Sequence, residues 1–274
     1  MTLSQAQPHA FLRSLFQQVN VLEDDYPSLE SLQALGIQAS QASLDTEKHE
    51  TVKFDPCFFE RQPADWVNLE RYPVDPTDQQ EALDEATELE GFVDVHIGAA
   101  MERDPSDETT LARRTQCGWY PRPKEDDPDD GQASDLFKWW QLISHYWFPG
   151  LPRKPHSIIS CVSMICPTET YSGVTTPELC AIACAMLLRV NHKPFRTCHI
   201  HPVLVLSYMG NRRARIIQAL YDGKTLALQY SPFWNFVDAE RASLQVFVRY
   251  GLSQPVGGPG RVITTYPPPS LRLR

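Results

Sequence analysis

The sequence predicts an α+β protein: an antiparallel β-meander of three or more strands packed against helices in the C-terminal half, with an acidic, mostly helical N-terminal half docked on it. Three observations carry this. Runs 202–209, 213–221 and 225–231 are rich in Val, Ile, Leu and Tyr, and only Gly210-Asn211 and Asp222-Gly223 separate them, which is strand and turn chemistry. Segments with apolar residues at three- and four-residue spacing flank those runs, as helices would. Charge is also split along the chain. Residues 1–150 hold 29 acids and 11 bases, whereas residues 151–274 hold 5 acids and 14 bases, giving −18 against +9. Such asymmetry points to a partner or to docking of one half on the other.

From the N-terminus, Phe11, Leu12, Leu15, Phe16 and Val19 line one face of a helix over 8–20. A second helix is expected over 28–35, with Gly36 as its C-terminal cap. Residues 37–75 are broken by Pro56, Pro63 and Pro73 and are expected to lie extended, anchored by Phe54, Phe58, Phe59 and Trp66. Thr77 stands three before Gln80 and Gly91 follows, which predicts a helix over 77–90. Val93, Val95 and Ile97 alternate with Asp94 and His96 and read as a strand over 92–97. Asp107 and Glu108 open, and Arg113 and Arg114 close, a helix over 106–115.

Residues 121–133 contain no large apolar anchor and form the predicted boundary. The expected organisation is therefore 1–120 as an acidic helical or extended region, 121–133 as an acidic Pro-rich linker or loop, and 134–274 as the α+β core. Leu136, Phe137, Trp140, Ile143 and Trp147 suggest a helix over 134–147, with Trp139 adding aromatic surface for an interface. A strand over 157–165 follows. The next helix runs to residue 190, with Thr176 as N-cap and Pro177 as first helical residue. The Asp222-Gly223 pair predicts a two-residue hairpin with positive φ at both positions. A helix over 238–250 ending at Gly251 and a strand over 261–266 complete the prediction.

The composition excludes several classes. Hydrophobic residues make up 42% and charged residues 22%, ordinary globular values. No apolar run reaches the roughly 18 residues of a membrane span, so no membrane partner is expected. The first residues lack a basic stretch followed by an apolar one. With seven Cys and no framework spacing, reduced thiols in a cytoplasmic or nuclear protein are expected.

Among chemistry-bearing residues, His199 and His201 would share a strand face and could begin a metal site, but no finger or zincin spacing accompanies them, and a strand entry with one packed and one exposed histidine is the plainer reading. Cys180 and Cys184 share a helix face and are expected in the core. Gly257-Gly258-Pro259-Gly260 lacks the lysine of a phosphate loop. Arg212, Arg213 and Arg215 with Lys224 mark the hairpin tips, Arg213 and Arg215 on one face, with Tyr208, Tyr221 and Tyr230 nearby. That set suits phosphate contact and stacking, or an acidic surface supplied by the chain itself, since residues 75–130 hold 17 acids and 5 bases.

The order of a helix, three strands, a helix and a strand over 177–266 resembles the core of restriction-endonuclease-like (PD-(D/E)xK) nucleases. That resemblance implies a metal-holding acid on the second strand and Glu-x-Lys on the third. Here Asp222 lies in the turn, the third strand reads Leu228-Gln229-Tyr230-Ser231, and Glu178 stands on the preceding helix. Residues 201–236, from HPVLVLSYMG to SPFWNF, also resemble uncharacterised proteins of filamentous fungi, a structural motif that implies no activity.

The leading expectation is a non-catalytic binding or protein-interaction protein with a protein partner or self-association and no cofactor. One alternative is a metal-dependent hydrolase or degenerate nuclease using some of His199, His201, Asp222 and Glu178 with a divalent metal. Another is a nucleic-acid binder masked by its acidic segment.

Overall fold

The computed structural model describes residues 7–45, 51–63, 81–99, 120–121, 140–147, 154–168, 171–191, 195, 198, 200–223, 225–236 and 241–256. Within them five helices surround a mixed sheet: α1 (Gln7–Asn20), α2 (Leu29–Ala34), α3 (Ala82–Ala99), α4 (Thr176–Asn191) and α5 (Arg241–Gly251). The fold is α+β. The strands are β1 (Ile37–Gln41), β2 (Ser43–Leu44), β3 (Val52–Lys53), β4 (Phe59–Glu60), β5 (Tyr120–Pro121), β6 (Trp140–Trp147), β7 (Ser157–Ser163), β8 (His201–Met209), β9 (Arg213–Tyr221), β10 (Leu226–Tyr230), β11 (Trp234–Asn235) and β12 (Gln254–Pro255).

The main sheet runs β1-β10-β9-β8-β7-β6-β5, with β11 also paired to β9. β8, β9 and β10 pair antiparallel in chain order. Two pairs are parallel. β7 and β8 are joined through α4, a crossover that a parallel pair requires, and β1 lies parallel to β10 at the edge. No amphipathic pattern announced β1. Its partner is nearly 190 residues away, and only Ile37 of the strand is buried.

Helices cover both faces, because strict alternation sends the side chains of each strand both ways. On one face α1 (Leu12, Leu15, Val19) and α4 (Leu179, Ile182, Ala185, Met186) pack on Ile159, Val203, Val205, Ile217, Ala219 and Tyr221. On the other, α3 (Ala86, Leu89, Val93, Ile97) and α5 (Leu244, Phe247, Val248) pack on Ile158, Val162, Leu204, Leu206, Tyr208 and Ile216. α3 and α5 approach closely at Gly251, where an added Cβ would stand 2.4 Å from Ile97 Cδ1. α3 thus docks through apolar residues, with one ion pair to the C-terminal half described at its start, Arg212–Glu85 at 4.0 Å.

Four expectations are corrected. Residues 140–147 form strand β6, not the end of a helix over 134–147. The pairing with β7 skips Ile143 between Leu142 and Ser144, and such a bulge breaks the period-two pattern, so Trp140, Ile143 and Trp147 mimic helical spacing. Residues 92–97 belong to α3 and are not a strand. Val93 and Ile97 are 1% and 2% exposed, whereas Val95, which the alternating pattern would bury with them, is 63% exposed. Gly91 therefore does not end a helix; it sits inside one.

The turn after β9 spans four residues, not two. Of the Asp222-Gly223 pair only Gly223 has a positive φ, 93°, and Asp222 Oδ1 accepts the Thr225 N–H at 2.8 Å. In the β8–β9 connection the positive φ values fall on Asn211 (58°) and Arg212 (49°). The N-cap of α4 moves by one: Thr176 is already helical. The expected elements over 106–115 and 261–266, and the linker 121–133 apart from Pro121, which belongs to β5, lie outside the described residues. No helix among the described residues is long and apolar enough to cross a membrane.

Candidate functional site at one end of the sheet

Alternation on β9 sends Arg213, Arg215, Ile217, Ala219 and Tyr221 to the α1/α4 face. The last three are core. The first two extend past the end of that core, and Arg215 is nonetheless 1% exposed. A buried guanidinium needs a charged partner and filled hydrogen bonds. The start of α4 supplies them. Glu178, 0% exposed, stands three residues after Thr175 and accepts its backbone N–H at 2.9 Å and its hydroxyl at 3.0 Å. This is the carboxylate half of a capping box. The same carboxylate takes Arg215 as a fork: Nε donates to Oε1 at 2.6 Å and Nη2 donates to Oε2. Arg215 Nη1 donates to the Gly173 carbonyl at 2.6 Å. Its guanidinium carbon lies 4.4 Å from the centre of the Phe233 ring and 5.2 Å from that of Tyr230, within cation–π range.

Beside this pair is a cavity of about 340 Å³ lined by ten residues from four stretches of chain. Arg213, Arg215 and Tyr230 come from β9 and β10, Phe233 and Asn235 from the segment around β11, Tyr171 and Ser172 from the loop before α4, and Gln41 from the end of β1. Tyr171 donates its hydroxyl to the Val174 carbonyl at 3.1 Å. Burial pushes its pKa up, and the negative Glu178 adds to the rise. Tyr230 is raised by burial too, against the pull of Arg215.

The residues singled out from sequence separate into groups. Arg213 and Arg215 meet at the cavity. Arg212 does not: it is turned to Glu85 of α3, and Glu85 also accepts the Asn211 N–H at 2.8 Å. Of the three tyrosines expected near the basic strand, only Tyr230 lines the cavity. Tyr208 points to the opposite face, 5.8 Å from Phe247, and Tyr221 stacks on Phe11 at 5.2 Å. His201 is fully buried at the far end of the sheet, opposite Tyr221, and its Nε2 donates to the Cys198 carbonyl at 2.9 Å. Asp222 is beside that end. Asp222 is seven steps along the chain from Arg215, about 23 Å at strand rise, so the structure does not bring Glu178 and Asp222 together. His199, Lys224 and Trp139 lie outside the described residues. Among the described residues no three His, Cys, Asp or Glu side chains gather as a metal site would require.

Tyr171, Ser172, Phe233, Asn235 and Gln41 were not anticipated. The aromatic SPFWN run after β10 was the one available signal. Its position against β9 depends on Trp234 pairing with Ala214, which no local pattern encodes. No family model, no curated protein and no solved structure matches the chain.

Proposed function

We propose that this chain is a non-catalytic binding protein whose ligand occupies the cavity beside Arg213 and Arg215. The observation that carries the proposal is how Glu178 is used. Both of its oxygens are engaged, by two donors from Thr175 and two from Arg215. A carboxylate so occupied holds a neighbour in place. A general base or metal ligand needs an oxygen open to the reacting group.

The metal-dependent hydrolase alternative has less support. Its two acids stand toward opposite ends of β9, Glu178 on Arg215 and Asp222 just past Tyr221, and Asp222 is engaged in its turn. The cavity is instead at the lower end of the volumes that small-molecule sites occupy, about 300–1,000 Å³.

The test pairs binding with turnover. A mixture of aromatic acids, amines and alcohols should perturb the backbone amide resonances of Arg213, Arg215 and Tyr230 saturably. The same preparation should leave bis-p-nitrophenyl phosphate and p-nitrophenyl esters intact with Mg²⁺, Mn²⁺ or Zn²⁺. Metal-dependent turnover that Asp222→Asn abolishes would overturn the proposal.

A further inference from the structure

The proposal that the cavity binds a ligand leaves the ligand's chemistry open, and the inference below rests on it. The cavity wall is rich in hydrogen-bond donors. A guanidinium carries five N–H groups. Those of Arg215 are spent once at Nε and once at Nη2 on Glu178, and once at Nη1 on Gly173. Two N–H groups remain on a side chain that is 1% exposed and lines the cavity. Tyr230, 5% exposed, adds a hydroxyl with no hydrogen-bond partner among the described residues. Arg213, the hydroxyls of Tyr171, Ser172 and Ser231 and the amides of Gln41 and Asn235 make up the rest of the polar lining, and no acidic side chain is among the lining residues. Phe233 and Pro232 add flat apolar surface to the lining, the Phe233 ring standing 4.4 Å from the Arg215 guanidinium carbon.

Donors left over on a buried cation call for an acceptor with several lone pairs. Carboxylate and phosphate oxygens match a guanidinium best. The ring wall favours a flat or apolar body attached to that group, because burying it against Phe233 removes apolar area from water.

We infer that the cavity takes an organic oxyanion, a carboxylate or a phosphate monoester, whose charged end meets Arg215, Arg213 and the Tyr230 hydroxyl and whose flat body lies against Phe233. The Glu178–Arg215 fork is then the device that fixes the binding arginine. It holds the guanidinium in one plane before the ligand arrives, which lowers the ordering cost of binding. In a chain of net charge −9 this donor-lined recess gives an anion a defined place to bind.

The experiment titrates the full chain, followed by amide resonances, with five probes: phenyl phosphate, benzoate, inorganic phosphate, benzylamine and benzyl alcohol. Phenyl phosphate or benzoate should saturate the resonances of Arg213, Arg215 and Tyr230, and whichever binds tighter distinguishes a phosphate ester from a carboxylate. Benzylamine and benzyl alcohol should bind about 10-fold or more weakly, the worth of one charge-assisted hydrogen bond.

Arg213→Gln should weaken the preferred anion by about 10-fold or more, with Arg213→Lys recovering part of it. Tyr230→Phe is a second, conservative variant and should weaken the anion while the fold stays intact. Inorganic phosphate binding as tightly as phenyl phosphate would overturn the organic half of the inference. Benzylamine or benzyl alcohol matching the anions at the same resonances would overturn the anion class while leaving the cavity as the binding site. If none of the five moves those resonances, both the inference and the cavity as ligand site fall.

Discussion

Helix α4 carries a buried cation at each end, and the two are held by opposite means. Near its start Glu178 grips Arg215, a carboxylate against a guanidinium. In its last turn, eleven residues on and about 17 Å away at helical rise, Arg189 is 1% exposed. The acceptors described for it are backbone carbonyls, those of Lys154 at 2.9 Å and Pro155 at 3.4 Å, with its guanidinium 3.6 Å over the Phe195 ring. Lys154 and His156 share this end and also bond carbonyls, of Pro255 at 2.7 Å and Val256 at 3.2 Å. Carbonyl dipoles and a ring face hold a cation less firmly than a carboxylate does. Burial pulls the pKa of Arg189 down to about 9, against the pull of Cys198, and burial, abetted by Lys154 and Arg189, pulls that of His156 down to about 3, against its bond to the Val256 carbonyl. One end of α4 is thus a charge-compensated platform facing a cavity. The other is a seam that ties the helix end to the 154–156 strand entry and, through Lys154 and His156, to residues 255–256.

The largest effect should come from breaking the platform. Glu178→Gln leaves a buried guanidinium without its counter-charge, and urea denaturation should register a loss of about 3–5 kcal/mol. Replacing both partners, Glu178→Leu with Arg215→Met, should recover most of that loss while abolishing oxyanion binding. If Glu178→Gln costs less than about 1 kcal/mol, the pair does not organise this end.

The seam should respond to acid. The unfolded chain takes up a proton on residue 156 near pH 6.5, whereas the folded chain holds that imidazole neutral down to about 3. Between those values the unfolded state binds more protons, so stability is full above pH 6.5 and is lost as pH falls towards 3. At pH 4.5 the loss should be about 3 kcal/mol. His156→Gln keeps a donor for the Val256 carbonyl and should flatten that part of the stability–pH curve. An unchanged curve in the variant would place the acid sensitivity elsewhere.

Arg189→Met should cost less than Glu178→Gln, about 1–3 kcal/mol, because it strands the Lys154 and Pro155 carbonyls. Equal losses at the two ends would erase the contrast between them. A change remote from both ends sets the scale. Gly91 lies inside α3 with nothing within 4 Å of an added Cβ, so Gly91→Ala should raise stability by about 0.5–1 kcal/mol through helix propensity alone, measured by the same denaturation.

These ends also show what the sequence could convey. α1, α2, α4 and α5, and the runs that became β7 to β10, were legible because each carries a local signal: apolar spacing in α1 and α5, a cap or start residue in α2 and α4, and Val-, Ile- and Leu-rich runs in the strands. α3 was read in part, and its second half was lost because Val93, Val95 and Ile97 fit two periods at once until burial chose between them. β6 was hidden by its bulge, and β1 by a partner supplied from the other end of the chain. For the site, that Arg213 and Arg215 share a face followed from alternation alone. That Glu178 belongs to Arg215 did not, since 37 residues and a crossover separate them. The cavity is assembled from four stretches whose meeting depends on the parallel β1–β10 pairing and the β11–β9 ladder. Local chemistry announced the arginines and was silent on what surrounds them.

The most direct measurement of the central claim, that the Glu178–Arg215 fork builds a seat for an organic oxyanion, is a crystal structure of the full chain grown with phenyl phosphate. The account predicts the phosphate within hydrogen-bond distance of Arg215 and the Tyr230 hydroxyl, the ring against Phe233, and the Glu178–Arg215 fork unmoved. A cavity that remains without the probe at saturating concentration, or a guanidinium that leaves Glu178 to reach it, would contradict the account.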